Sequence, residues 1–217
     1  MDRQGEEGAI NKHTMRHDFS DIPSSKYAEL IPLINFLSSY NLFTEKKTCL
    51  QSSLLSFFRK HRLLSAHTFS TIPPVTMHYL WNEENNDIIK MEGTRDAIFN
   101  HLDKLELILN EKTVVPYVKF VLDSVWTDKG SLRLVEDMGE VEFSDNPLPE
   151  DLQFLKETVR PATVTPTGGG YRIDAIIIYG TEIYQSVVDV QEWGTFDFLS
   201  ETELRAGVSS VRIIFLE

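Results

Sequence analysis

Two glycine-containing turns separate three alternating apolar segments between Tyr171 and Leu199, and together they fix a strand register that few folds can satisfy. With Gly180-Thr181 as a two-residue turn, glycine first, Ile177 faces Tyr184, Ala175 faces Ser186, Ile173 faces Val188 and Tyr171 faces Val190. The next loop, Glu192-Trp193-Gly194, carries its glycine third, which pairs Val190 with Phe196 and Val188 with Phe198. Both turns place the apolar residues on one face. A slip by one residue would bury Arg172, Asp174, Asp189 and Asp197 instead, and desolvating those charges is costly. The C-terminal part of the chain is therefore predicted to be an antiparallel sheet with one face on a core.

The rest of the chain is read from this anchor. Residues 1–24 are polar and predicted to form a flexible arm. Residues 25–66 are predicted to be helical: Tyr27, Leu30, Ile31, Ile34 and Leu37 recur at helical spacing around an awkward Pro32, and a second helix over 44–64 carries Lys46, Lys47, Arg59, Lys60 and Arg62 beside Phe57 and Phe58. Ile72-Pro73-Pro74 then opens an α+β domain over 72–217. Within it the patterns predict strands over 75–81 and 87–91, a helix over 94–110, and a hairpin of 115–127 with 131–137 that pairs Trp126 with Leu132 and Ser124 with Leu134. A third strand over 140–143 follows, and then a helix from Pro149 to 159, stopped before Arg160-Pro161. Ser200 and Glu203 have capping-box spacing for a last short helix, and 208–216 read as a closing strand. The fold class is α+β: an N-terminal helical segment, then antiparallel meanders packed with helices. Residues 136–144 align with 191–199, which raises a duplicated βββα unit as an alternative organisation.

Apolar residues at 41% and charged residues at 25% lie in the globular range, so 217 residues bury a core without a cofactor or crosslink. Cys49 is the single cysteine, which precludes an internal disulfide and fits a reducing compartment. Residues 1–25 lack the apolar stretch of a signal peptide, and no window approaches a membrane helix, so a cytoplasmic protein is expected. The net charge of −12 is uneven: 12 Lys/Arg against 14 Asp/Glu in 1–110, but 9 against 19 in 111–217. An acidic half of this kind disfavours nucleic acid and favours a basic protein partner.

No motif carries a defined chemistry. Thr165 to Gly170 is glycine-rich but precedes a strand, whereas a phosphate loop needs a helix start. The six histidines lack metal-ligand spacing, so neither metal nor cofactor is predicted. The candidate binding residues lie on the outer face of the last three strands, where Arg172 sits opposite Asp189 and Asp189 opposite Asp197, with Asp174 alongside. The turn end of the same face bears Ile176, Ile178 and Ile183, with Val187 and Leu199, which need a cover from a helix of this chain, a partner, or a second copy in a homodimer. These features point to a non-enzymatic, cytoplasmic protein-binding module with an acidic C-terminal surface, resembling in kind a secretion chaperone or a toxin-immunity protein. Two other readings stay open: a small hydrolase with an Asp/His site assembled from His78, His101 and the acid cluster, and an adaptor that lays its basic helix on membrane or nucleic acid.

Overall fold

A computed structural model describes residues 17–209 and 211 of the chain. The N-terminal sheet is an antiparallel meander in sequence order: β1 (Ser20–Asp21), then α1 (Tyr27–Ser38), then β2 (Thr48–Leu54), β3 (His61–Thr68), β4 (Val75–Asn82) and β5 (Asp87–Lys90). Two short helices, α2 (Asp96–Phe99) and α3 (Leu102–Leu105), lead to α4 (Val114–Asp123). The C-terminal sheet is built from β6 (Trp126–Thr127), β7 (Gly130–Val135), β8 (Thr163–Thr167), β9 (Gly170–Tyr179), β10 (Glu182–Gln191) and β11 (Phe196–Arg205), with α5 (Pro149–Thr158) between β7 and β8. Its order is β11-β10-β9-β7-β6, and β8 shares the β9 edge with β7, pairing with residues 170–174 while β7 pairs with 176–179. The class is α+β with two antiparallel sheets.

The packing is layered. α1 covers one face of the N-terminal sheet through Leu30, Ile31 and Ile34 against Leu50, Leu64, Ala66, Tyr79 and Trp81. α4 lies between the sheets, where Tyr117, Val118 and Phe120 meet Phe57, Leu63 and Leu80 from one side and Ile173, Ile177 and Val188 from the other. α5 covers part of the outer face of the C-terminal sheet, Leu155 packing with Ile176, Ile178, Ile183, Val141 and Val208. Among the described residues no helix is long and apolar enough to cross a membrane.

The meander register predicted from the two turns is the one observed. Ile177 pairs with Tyr184, Ala175 with Ser186, Ile173 with Val188, Tyr171 with Val190, and Val190 with Phe196. Gly180 takes the left-handed φ of 60°, and a Cβ there would lie 2.5 Å from the Lys129 carbonyl oxygen, so both the turn and the neighbouring backbone require glycine. Past that pairing, the register shifts between Val187 and Val188, and β11 runs on to Arg205. The capping-box helix is thus replaced by strand, with Ser200 opposite Val187 and Glu203 opposite Tyr184.

Two larger corrections have one physical cause. The second helix predicted over 44–64 is instead β2, a turn and the start of β3. β3 is covered on both faces, Leu64 and Ala66 packing with α1 and Leu63 with α4, so its apolar residues do not alternate and their spacing imitates a helix; β2 alternates in burial, Thr48, Leu50 and Ser52 inward, but Leu50 is the one apolar residue of the three, so the pattern is faint. Conversely, the strand predicted over 115–127 is mainly α4. Seven of its ten residues are buried, from Val114 to Leu122, so only the narrow strip of Pro116, Lys119 and Asp123 marks a period of 3.6, and the β-branched and aromatic composition resembles a strand.

Smaller differences follow. The helix predicted over 94–110 breaks into α2 and α3, and Glu106 (φ 49°) ends it so that Ile108 N–H donates to the Phe57 carbonyl at 2.8 Å. The turn after β6 contains two residues, which pairs Trp126 with Ser131 rather than Leu132, and Ser124 caps α4 rather than pairing with Leu134. The strand predicted over 140–143 does not form: Glu140 ends a 3-10 turn over Met138–Glu140, and Phe143 makes an isolated bridge. The region 115–159 therefore lacks the three consecutive strands of 170–205, and the aligned segments 136–144 and 191–199 fall on different elements. β3 pairs with β4 across 69–74, so one sheet spans the boundary predicted there, and the end of the predicted arm pairs with β2 as β1. Val208 and Ser209 lie outside any strand and Val211 bridges Phe143, while 212–216 and the arm residues 1–16, His13 included, lie outside the described residues.

Candidate functional site

The charged outer face forms as the register dictates. Asp189 stands opposite Arg172 on β9 and Asp197 on β11. Each carboxylate also finds a partner within the chain. Arg172 Nη2 lies 3.5 Å from Asp189 Oδ1, and Gln191 Nε2 donates to Asp189 Oδ2 at 2.9 Å. Asp174 accepts from Gln185 Nε2 at 3.1 Å and lies 3.5 Å from Arg160 Nη2. Arg95, reaching from the start of α2, lies 3.5 Å from Asp197 and donates to the Phe196 carbonyl at 3.1 Å. Long, solvent-exposed pairs of this kind contribute under about 1 kcal/mol each. Ile176, Ile178 and Ile183 are buried beneath α5, so the cover that the sequence demanded for them comes from this chain, and they offer no surface to a partner.

Beyond α5 the face ends in β11. This ten-residue strand is hydrogen-bonded to β10 along one edge, and no other described strand pairs with it. Residues 199–204 are exposed on both of its faces, Leu199 at 55% and Leu204 at 38%, and Trp193 in the preceding loop at 59%. Asp197, Glu201 and Glu203 make the edge acidic. Its far end is tied down by Arg205, whose Nη2 lies 2.8 Å from Oδ1 of the buried Asp151 and whose guanidinium sits 5.1 Å from the Phe154 ring centroid. Ending the third strand at Leu199 and starting a helix at Ser200 concealed the length of this strand.

The basic residues do not form a helix face. Lys46 and Lys47 stand in the turn before β2, while Arg59 lies 4.0 Å from Glu106, Lys60 2.9 Å from Glu106 and Arg62 3.5 Å from Glu83. The histidines are also dispersed. His101 Nδ1, between α2 and α3, is 3.1 Å from the Ala97 carbonyl of α2, His67 meets Thr76 at 2.7 Å, and His61 is buried with both ring nitrogens unpartnered. None of these joins Asp174, Asp189 or Asp197. Among the described residues no group of three His, Cys, Asp or Glu is placed to hold a metal ion.

A cleft of about 420 Å³ opens beside α4, between the two sheets, within the size range of small-ligand sites. Pro116, Lys119, Phe120 and Asp123 line it from one face of α4, at the i, i+3, i+4, i+7 spacing of a helix. A helical reading of 114–123 would have grouped them; the strand reading did not. His17 and His78 line the same cleft, as do Trp126, Arg133, Glu136, Glu140 and Glu142. Lys119 Nζ is held 2.8 Å from Glu136 and 2.7 Å from Glu140, and hydrogen bonds to both carboxylates raise its pKa despite the opposing desolvation, which is the largest influence on it. Arg133 Nη2 donates to the Glu140 carbonyl at 2.8 Å and lies 3.5 Å from Glu142. Desolvation pushes Asp123 up to about 7, against the pull of Arg133 and Lys119, and it lowers His78 to about 4, helped by His17. His78 Nε2 is buried without a hydrogen-bond partner. Neutral histidine, half-titrated carboxyl and fixed ion pairs therefore share one cavity. Comparison with protein-family models, with curated proteins and with solved structures finds no match to this chain.

Proposed function

We propose that the protein is a non-enzymatic protein-binding module of the cytoplasm that takes an extended, basic segment of a partner along β11. The observation that carries this reading is the unpaired edge: a ten-residue strand whose outer hydrogen-bonding groups meet no other described strand. An extended peptide completes such an edge with main-chain hydrogen bonds, and side chains beside it set the preference. Asp197, Glu201 and Glu203 favour lysine and arginine in the incoming strand, while Leu199, Leu204 and Trp193 supply apolar contact. The same acids oppose pairing of β11 with a second copy of itself, since like charges would face each other across the new ladder. A basic heterologous partner therefore fits better than a homodimer through this edge.

The test is a titration of the ¹⁵N-labelled full chain with an acetylated peptide of alternating lysine and valine, read by amide shifts at 50 and 300 mM salt. The expected result is shifts concentrated in β11, weaker at high salt, and lost in a Glu201→Lys/Glu203→Lys variant that keeps the native spectrum elsewhere. Shifts spread over the surface, or binding indifferent to both salt and the double substitution, would reject the proposal.

A further inference from the structure

We propose that the cleft beside α4 is a binding site for a primary ammonium group carried on an apolar stem, with Asp123 as its counter-ion. It is a second site, separate from the β11 edge: neither Asp197 nor Glu201 lines it.

The charge pattern selects the ligand. Four carboxyl groups and two permanent cations line the cleft. Lys119 is taken by Glu136 and Glu140, and Arg133 by Glu142, at 2.7 to 3.5 Å. Asp123 is the lining carboxyl with no ion pair or hydrogen bond among the described residues. It is also the last residue of α4, where the negative end of the helix dipole favours positive charge. An anionic ligand would meet this acid and that helix end, and a neutral apolar ligand would leave Asp123 desolvated and unmatched. A cation satisfies both.

The walls select the stem. Leu55, Phe57, Phe120, Trp126 and Leu134 bound the cleft and can bury a chain or ring behind the charged head. His78 adds a polar contact: its Nε2 lacks a partner, and the ring is held neutral, so it does not repel a cation. An ammonium group brings three donors, enough for a carboxylate and a further acceptor.

The groups facing Asp123 that bear on its titration are Lys119 on its own helix, Arg133 on β7, and Glu140 and Glu142 beyond β7, with Glu136, His17 and His78 elsewhere on the lining. A carboxyl titrating near pH 7 is mostly protonated at pH 6 and mostly ionised at pH 8. An alkylammonium stays charged throughout that range, so its affinity should rise about tenfold between those two values.

The experiment measures binding of hexylammonium and of 1-hexanol to the full chain by amide shifts and calorimetry at pH 6 and pH 8. Hexylammonium should shift cleft residues and bind about tenfold more tightly at pH 8, and hexanol should bind at least tenfold more weakly than the amine. Asp123→Asn should remove the preference for the amine, while Asp103→Asn, on exposed α3, should not. The Asn variant is also read by near-UV circular dichroism, so that loss of binding is separated from loss of fold. An acetylated Ala-Lys-Ala amide serves as a second arm: tighter binding than hexylammonium marks a protein side chain as the natural source, and weaker binding marks a small amine, each outcome upholding the site. Equal affinity for amine and alcohol, a flat pH dependence, or full amine binding by the folded Asp123→Asn protein would overturn it.

Discussion

Replacing Asp123 by asparagine should stabilise the protein, and by an amount that grows with pH. Desolvation raises the folded-state pKa of this carboxyl from 3.8 to about 7. Below pH 3.8 the group is protonated in folded and unfolded chains alike, and it costs nothing. Between pH 3.8 and about 7 the unfolded chain ionises while the folded chain keeps its proton, so stability falls steadily; above that, the loss is constant. That rise corresponds to at most about 4 kcal/mol, and solvent entering the cleft screens part of it, which leaves about 2 kcal/mol. That is a large fraction of the roughly 5–15 kcal/mol that holds a domain folded. Asparagine keeps the shape and cannot ionise. Urea unfolding of both proteins at pH 4, 5, 6, 7 and 8 isolates the effect, because all other titrations cancel in the difference. The asparagine variant should gain on the natural protein from pH 4 upward and level off near pH 8. A difference independent of pH, or one that shrinks as pH rises, would refute the claim that this carboxyl is held desolvated against α4.

Three further outcomes follow from single contacts. Tyr117→Phe removes the 2.7 Å hydrogen bond from the buried phenol to the Gly194 carbonyl, and should lower stability by about 1–2 kcal/mol in chemical denaturation with no change in the far-UV spectrum. Gly180→Ala forces a side chain onto a left-handed backbone and to within 2.5 Å of the Lys129 carbonyl oxygen; a loss of more than about 1 kcal/mol is expected, and a thermal midpoint equal to that of the natural protein would contradict the turn assignment. Arg205→Met strips the buried Asp151 of its 2.8 Å ion pair, which should cost about 1.5–3 kcal/mol and speed amide hydrogen exchange at the 200–205 end of β11 ahead of β9.

The C-terminal meander was legible from sequence because its determinants are local. Gly180 and Gly194 sit at the turns, and side chains two apart share a face, so the pairings from Tyr171 to Phe198 and the meeting of Arg172, Asp189 and Asp197 follow from short-range geometry. α1 and α5 were legible for the same reason: each keeps a wet face and a dry one. The cleft was not legible. Its lining comes from residue 17, from 54–57, from 78, from 116–126 and from 131–142, and no local pattern links those segments.

What the sequence determined by itself was wherever one side of an element meets water, since there the polar and apolar residues must alternate with the period of the backbone. What only the tertiary structure decided was the layer in the middle. α4 is dry on all but one narrow strip and β3 is covered on both faces, so burial removes the contrast that would distinguish a helix from a strand, and contacts between distant segments decide the outcome.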